Sequence, residues 1–290
     1  ELEELAPIRQ GGAMRMLVPP FPSYTSPALV SFVTGLDPRD HGVRLNGKLT
    51  GAIGLDTVTR AAHDAGVPVA LCKRGWDPFE EVMYPARRED SPFPLRALPG
   101  ADVIAGRVRF AYRLWRRETA ALAPAPLAEG SPAAALEIVY LEDVDYAGHR
   151  HGAASREYVE AAHHAGAVVA RLADTLDLSQ DALVLVSDHS HRAEGGHGGM
   201  EPEVRRAFFL AAGRGIRRGV ELDPRSPRDV APTLSALAGL RAPTSSLARP
   251  MMDALDLDDA ARARLLAGPF AQASTFACAV RPSPRCGGAA

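Results

Sequence analysis

The stretch Ala135-Leu-Glu-Ile-Val-Tyr-Leu-Glu-Asp-Val-Asp-Tyr-Ala-Gly-His149 decides the fold. Its first seven residues read as a strand, apolar save for Glu137, and acidic residues and a histidine follow. The stretch Ala182-Leu-Val-Leu-Val-Ser-Asp-His189 repeats the pattern, an apolar run that ends in a carboxylate and an imidazole. Strands apolar on both faces, alternating with helices, imply an α/β fold: a mostly parallel central sheet sandwiched by helices. In such sheets ligands bind beyond the carboxyl ends of the strands. Asp143, Asp145 and His149 stand beyond the first strand, and Asp188, His189 and His191 beyond the second.

Working outward, Glu1 to Gln10 reads as the end of a helix stopped by Gly11-Gly12, and Met14 to Val18 as a short strand. Pro27 to Thr34 is a compact helix with Thr25 or Ser26 as its cap and Gly35 as its end. Asp56 caps a helix running to Gly66, and Val67 to Leu71 is a buried strand. Residues 74–100 read as a loop or cap, and Ala101 to Ala121 as a helix carrying Arg109, Arg113, Arg116 and Arg117. Ser155 to Leu176 is a long amphipathic helix, Arg206 to Ala212 a strand, and Arg228 to Leu240 a helix ending at Gly239. These elements assign residues 1–268 to one domain, with 44–130 containing a small cap insertion and 269–290 a disordered tail.

The 290 residues suffice to bury a core, and their net charge of −2 supplies no global field toward nucleic acid or a membrane surface. No apolar run approaches the length of a membrane span. Cys72, Cys278 and Cys286 are too few and too scattered for a disulfide framework or a cysteine-based zinc site.

Asp145 and His149 are four residues apart and share a face if the turn after their strand is helical. Gly196-His197-Gly198-Gly199 puts a histidine in a loop whose backbone can approach an ion closely. Carboxylate and imidazole together suit Zn²⁺, with Mn²⁺ or Fe as alternatives. Two such groups could clamp the attacking and leaving oxygens of a phosphoryl displacement. A lone His or Asp at a strand end is more often a cap or a loop residue; several at successive strand ends of one sheet are harder to dismiss. Thr25 supplies a hydroxyl at a helix N-terminus, where free N–H groups and the helix dipole favour an anion. Local sequence alone favours a simple cap there.

Phe21-Pro-Ser-Tyr-Thr-Ser-Pro-Ala-Leu-Val-Ser-Phe-Val-Thr-Gly-Leu-Asp-Pro-Arg-Asp-His-Gly-Val43 resembles the nucleophile segment of the type I phosphodiesterase/nucleotide pyrophosphatase family, in the alkaline phosphatase superfamily. Tyr140 to His149 resembles that family's Asp-x-x-Gly-His metal motif, Val186 to His189 its Ser-Asp-His strand end, and Asp229 to Leu234 its late Asp-x-x-Pro-Thr helix. The likeness runs in order over roughly residues 1–250. It implies an alkaline phosphatase-like fold and a small phosphorylated substrate. It further implies two divalent ions, the first held by Asp145, His149 and His197 and the second by Asp188, His189 and Thr25, with Thr25 as nucleophile through a covalent phospho-threonine. Hydrolysis of a phosphodiester or nucleotide is the reading; a phosphomonoesterase, a phosphotransferase or a non-catalytic metal-binding relative are the alternatives.

Family members begin with a strand ending in a metal-binding Asp, and nothing upstream of Thr25 matches it. The remaining ligands are intact and the first residue is Glu1, so the sequence reads as lacking that first strand. His191 and Glu194, beside Asp188-His189, either orient ligands or are exposed loop residues. His41 reads as structural, and His63, His151, His163 and His164 as bystanders.

Overall fold

A computed structural model of the protein describes residues 2–47, 55–67, 69–73, 82 and 136–267. The expected arginine helix, most of the cap insertion and all of the tail lie outside the described residues. The described elements, in chain order, are α1 (Ala6–Gln10), β1 (Gly12–Leu17), α2 (Thr25–Thr34), α3 (Pro38–His41), α4 (Val58–Asp64), β2 (Val69–Lys73) and β3 (Leu136–Tyr140). They continue as α5 (Asp143–His151), α6 (Arg156–Ala173), β4 (Ala182–Val186), β5 (Ala207–Gly213), β6 (Val220–Arg225), α7 (Val230–Leu237) and α8 (Asp259–Ala267).

The strands form a four-stranded sheet in the order β4-β5-β1-β6 and a two-stranded sheet of β2 and β3. Pairs β1–β6 and β2–β3 are parallel, as the alternation of helices and strands predicts. Strand β5 runs antiparallel to both of its neighbours, so the sheet is mixed. One apolar cluster unites the layers. Leu29, Val30, Phe32 and Val33 of α2 and Val230 of α7 pack with Phe209 and Ala211 of β5, while Ile138 of β3 and Val184 of β4 lean against them.

Helix α2 is buried on every face, consistent with its apolar sequence, and stops at Gly35, whose left-handed φ of 73° favours glycine. Two expected caps differ. The cap of α2 is the extended Tyr24, and no side chain caps the helix, so Thr25 lies within its first turn. The cap of α4 is Thr57, whose hydroxyl accepts from Arg60 N–H at 3.0 Å; Asp56 instead pairs with Arg241. Ser155 does cap α6, accepting from Tyr158 N–H at 3.1 Å. The last expected helix is divided into a 3₁₀ turn, Pro227–Asp229, and α7.

Candidate active site

Thr25 enters the site because α2 leaves its side chain unused as a cap. The residue is 4% exposed, and its Oγ1 lies 3.1 Å from His189 Nε2. That nitrogen is also 3.2 Å from Asp188 Oδ2. The other ring nitrogen, Nδ1, faces the Ser190 carbonyl at 3.3 Å. A carbonyl only accepts, so the neutral tautomer that suits this contact carries its proton on Nδ1 and turns a bare Nε2 lone pair toward Thr25 and Asp188. A lone pair aimed at a carboxylate needs a cation or a proton between them. Thr25, Asp188 and His189 thus converge as one group.

The second group lies one strand end away. Helix α5 begins directly after β3 and brings Asp145 and His149 onto one face, with Oδ2 and Nε2 3.6 Å apart. His197 Nε2 sits 3.1 Å from His149 Nε2 and 3.5 Å from Asp145 Oδ1. His191 Nε2 lies 2.9 Å from that same Oδ1. The ligand atoms of Asp145, His149, His191 and His197 all fall within 4.8 Å of one another. The His189 and His197 rings stack at 3.7 Å, joining the two groups.

Electrostatics favour a cation at this place. Burial, reinforced by the neighbouring His189, pushes the His197 imidazole down to about 4, so it is neutral at physiological pH. Its Nδ1–H donates to the Ser23 carbonyl at 3.1 Å, which turns the Nε2 lone pair into the cluster. Burial raises the Asp145 carboxyl, but the hydrogen bond from His191 and the surrounding imidazoles outweigh it, and the group is held below its ordinary value. The result is a carboxylate ringed by imidazole nitrogens, a donor set that fits a divalent zinc-like ion.

All six residues singled out by the sequence therefore lie in this one constellation. Three contributors were missed or left open. His191 is 3% exposed and belongs to the cluster, whereas Glu194 is an exposed partner of Arg192. Buried Ser23 ties the His197 loop to the start of α2: its hydroxyl donates to Gly199 O at 3.0 Å and accepts from Gly198 N–H at 3.1 Å. Asn46 Oδ1 accepts from Ser26 N–H at 2.9 Å, which places an amide beside the N-terminus of α2. Ser23 and Asn46 lie in polar, proline-rich or glycine-rich stretches with no periodicity to flag them. Of the bystanders, His163 faces Glu4 from a distant part of the chain, His63 faces Asp64, and His151 is exposed at the end of α5.

The family model described as type I phosphodiesterase / nucleotide pyrophosphatase matches residues 1–199. No curated protein matches the chain. Among solved structures, human ectonucleotide pyrophosphatase / phosphodiesterase 5 (ENPP5, NPP5) is 13% identical, with a TM-score of 0.62 over 88% of this chain and 95% of that one. A phosphonate monoester hydrolase from Silicibacter pomeroyi is 13% identical, with a TM-score of 0.50 over 87% of this chain and 71% of its own. A 2-O GAG sulfatase is 15% identical, with a TM-score of 0.51 over 86% and 68%. These likenesses show a common fold.

Proposed function

The chain belongs to the type I phosphodiesterase / nucleotide pyrophosphatase family, and from that premise we propose that it hydrolyses phosphate esters through Thr25 with two divalent cations, zinc being the best fit. Asp145, His149 and His197 would hold one ion, and Asp188, His189 and Thr25 the other. The donor chemistry fits: imidazole nitrogens with lone pairs facing inward, carboxylates at their edge, and one buried hydroxyl. When bound, such cations would supply charge neutralisation at the phosphoryl oxygens and would lower the cost of ionising the threonine hydroxyl.

The protein's own groups position and stabilise. Thr25 Oγ1 is fixed by the first turn of α2 and by its contact with His189. The positive end of α2 faces the incoming phosphoryl group and lowers the cost of its negative charge. Asn46 Oδ1 accepts from Ser26 N–H, and its amide N–H₂, with no partner among the described residues, would donate to a phosphoryl oxygen. Attack of Thr25 Oγ1 on phosphorus breaks the bond to the ester oxygen, which leaves as an alcohol after taking up a proton. Water then cleaves the phospho-threonine, restoring the Thr25 hydroxyl and releasing phosphate or a monoester.

The single observation carrying this reading is the buried Thr25 hydroxyl, free of any capping duty and 3.1 Å from His189 Nε2. The test compares bis-p-nitrophenyl phosphate with p-nitrophenyl phosphate, with Zn²⁺ or Mn²⁺ added, for the unmodified chain, Thr25→Ser and Thr25→Ala. Loss of the nucleophile should lower turnover by at least about a thousandfold in Thr25→Ala, and Thr25→Ser should retain part of it. Hydrolysis undiminished in Thr25→Ala would exclude this hydroxyl. The ratio of the two substrates separates diester from monoester preference.

A further inference from the structure

Sequence resemblance assigns three ligands to the Asp145 group, yet four side chains converge there. His191 is the fourth. Its ring is 3% exposed, and Nε2 points at Asp145 Oδ1 from 2.9 Å. Its buried Nδ1 has no hydrogen-bond partner among the described residues, so the ring's one polar engagement is with the cluster. The ring stands edge-on to His149 and His197, with centroids 4.9 and 5.0 Å away. It reaches that position because α5 has no side chain at Gly148: a Cβ built there would meet the His191 ring at 2.5 to 2.7 Å. The helix is cut back where the imidazole enters.

The spacing is that of a coordination sphere. Zinc bonded tetrahedrally at about 2.0–2.1 Å requires ligand atoms roughly 3.3–3.4 Å apart. Here the resolved edges are 2.9 Å (His191 to Asp145), 3.1 Å (His197 to His149), 3.5 Å (His197 to Asp145) and 3.6 Å (His149 to Asp145). Small movements would bring all four donors onto one ion.

We infer that His191 is a fourth protein ligand, and that the Asp145 group is a closed His₃Asp site. The inference rests on the metal reading above and deepens it. Catalytic zinc sites keep a position open, whereas four protein ligands fill a tetrahedron. An ion held this way is tightly bound, and substrate reaches it only by expanding the coordination or displacing a ligand. The open position belongs to the Thr25, Asp188 and His189 group, beside the nucleophile.

Cobalt(II) titration followed by visible absorption tests this, since four-coordinate cobalt absorbs strongly and five- or six-coordinate cobalt weakly. At one equivalent the unmodified chain should give an intense band. His191→Gly should weaken that band and lower affinity by at least about tenfold, and free imidazole, entering the space left by the ring, should restore it. His191→Gln, which keeps most of the volume, should give a shifted and weaker band and serves if the glycine variant fails to fold. A band unchanged in shape and intensity in these variants, even with weaker binding, overturns the inference and makes His191 a positioning residue for Asp145. His149→Ala separates the two levels of the proposal. If it binds cobalt like the unmodified chain, the cluster holds no ion, and the metal reading fails with it.

Discussion

Thr25 shows what a single residue's sequence context conceals. Helix-start rules favour a cap there, and only the backbone, by making Tyr24 the cap, leaves the hydroxyl to face His189. His41 is the opposite case, since its structural reading needed nothing more than the His-Gly turn. It is 2% exposed, its Nε2–H donates to the Pro27 carbonyl at 3.2 Å, and its Nδ1 accepts from Val43 N–H at 3.1 Å. Burial pushes its imidazole from 6.5 down to about 4. The unfolded chain therefore takes up this proton first as pH falls. Stability is full above the unfolded value, is lost between about 6.5 and 4, and changes no further below that. The loss is at most about 3–4 kcal/mol at 1.36 kcal/mol per unit. Because His197 is depressed into the same window, the measurement is a difference: urea unfolding at pH 7.5 and 4.5, without metal, for the unmodified chain and His41→Gln. The variant should show the shallower pH dependence. Equal slopes would mean His41 is not held neutral by the fold.

Helix α5 was legible as a carrier of candidate ligands, because a four-residue spacing places Asp145 and His149 one above the other once the segment is helical. Its Gly148 was legible only as part of a motif; that a histidine from the β4 loop occupies the missing Cβ is a tertiary fact no periodicity announces. Gly148→Ala separates the two influences. Helix propensity alone would favour alanine by about 1 kcal/mol. The new methyl would instead press on the buried His191 ring and swing it off the cluster. Titration calorimetry should show zinc affinity down by about 10–100-fold, with far-UV circular dichroism unchanged. Unchanged affinity would mean the ring has room to yield. Strand β6 was missed for a plain reason: Val-Glu-Leu-Asp-Pro-Arg carries three charges and a proline, a composition tolerated at the end of a sheet order. The apolar run of β4 implies a strand covered on both faces. It is instead half-buried, with β5 as its one partner among the described strands.

The alternation of helices and apolar strands was enough to place the candidate ligands beyond the carboxyl ends of β3 and β4, because that location follows from the architecture. The antiparallel course of β5 was not legible, since a strand's direction leaves no mark on its own composition. Pairing has a mechanical consequence. Strands β3 and β4 belong to different sheets, which share an apolar core. Asp145 and His149 extend from the two-stranded sheet through α5, while His191 and His197 follow the four-stranded sheet through the loop after β4. An ion among them would tie the two sheets at their functional edge, and its binding free energy would be added to that of folding. With free zinc at about a hundred times its dissociation constant, the gain is about 2.7 kcal/mol. At roughly 2–4 °C per kcal/mol for a chain of this order, thermal unfolding should shift upward by about 5–10 °C, and a chelator should reverse the shift. Ligand loss on either side must cut the tie equally. Asp145→Asn and His197→Ala should each lose most of the zinc-induced rise, although one belongs to α5 and the other to the β4 loop. A full shift surviving in both variants would place the stabilising ion elsewhere and leave the sheets joined by their apolar core alone.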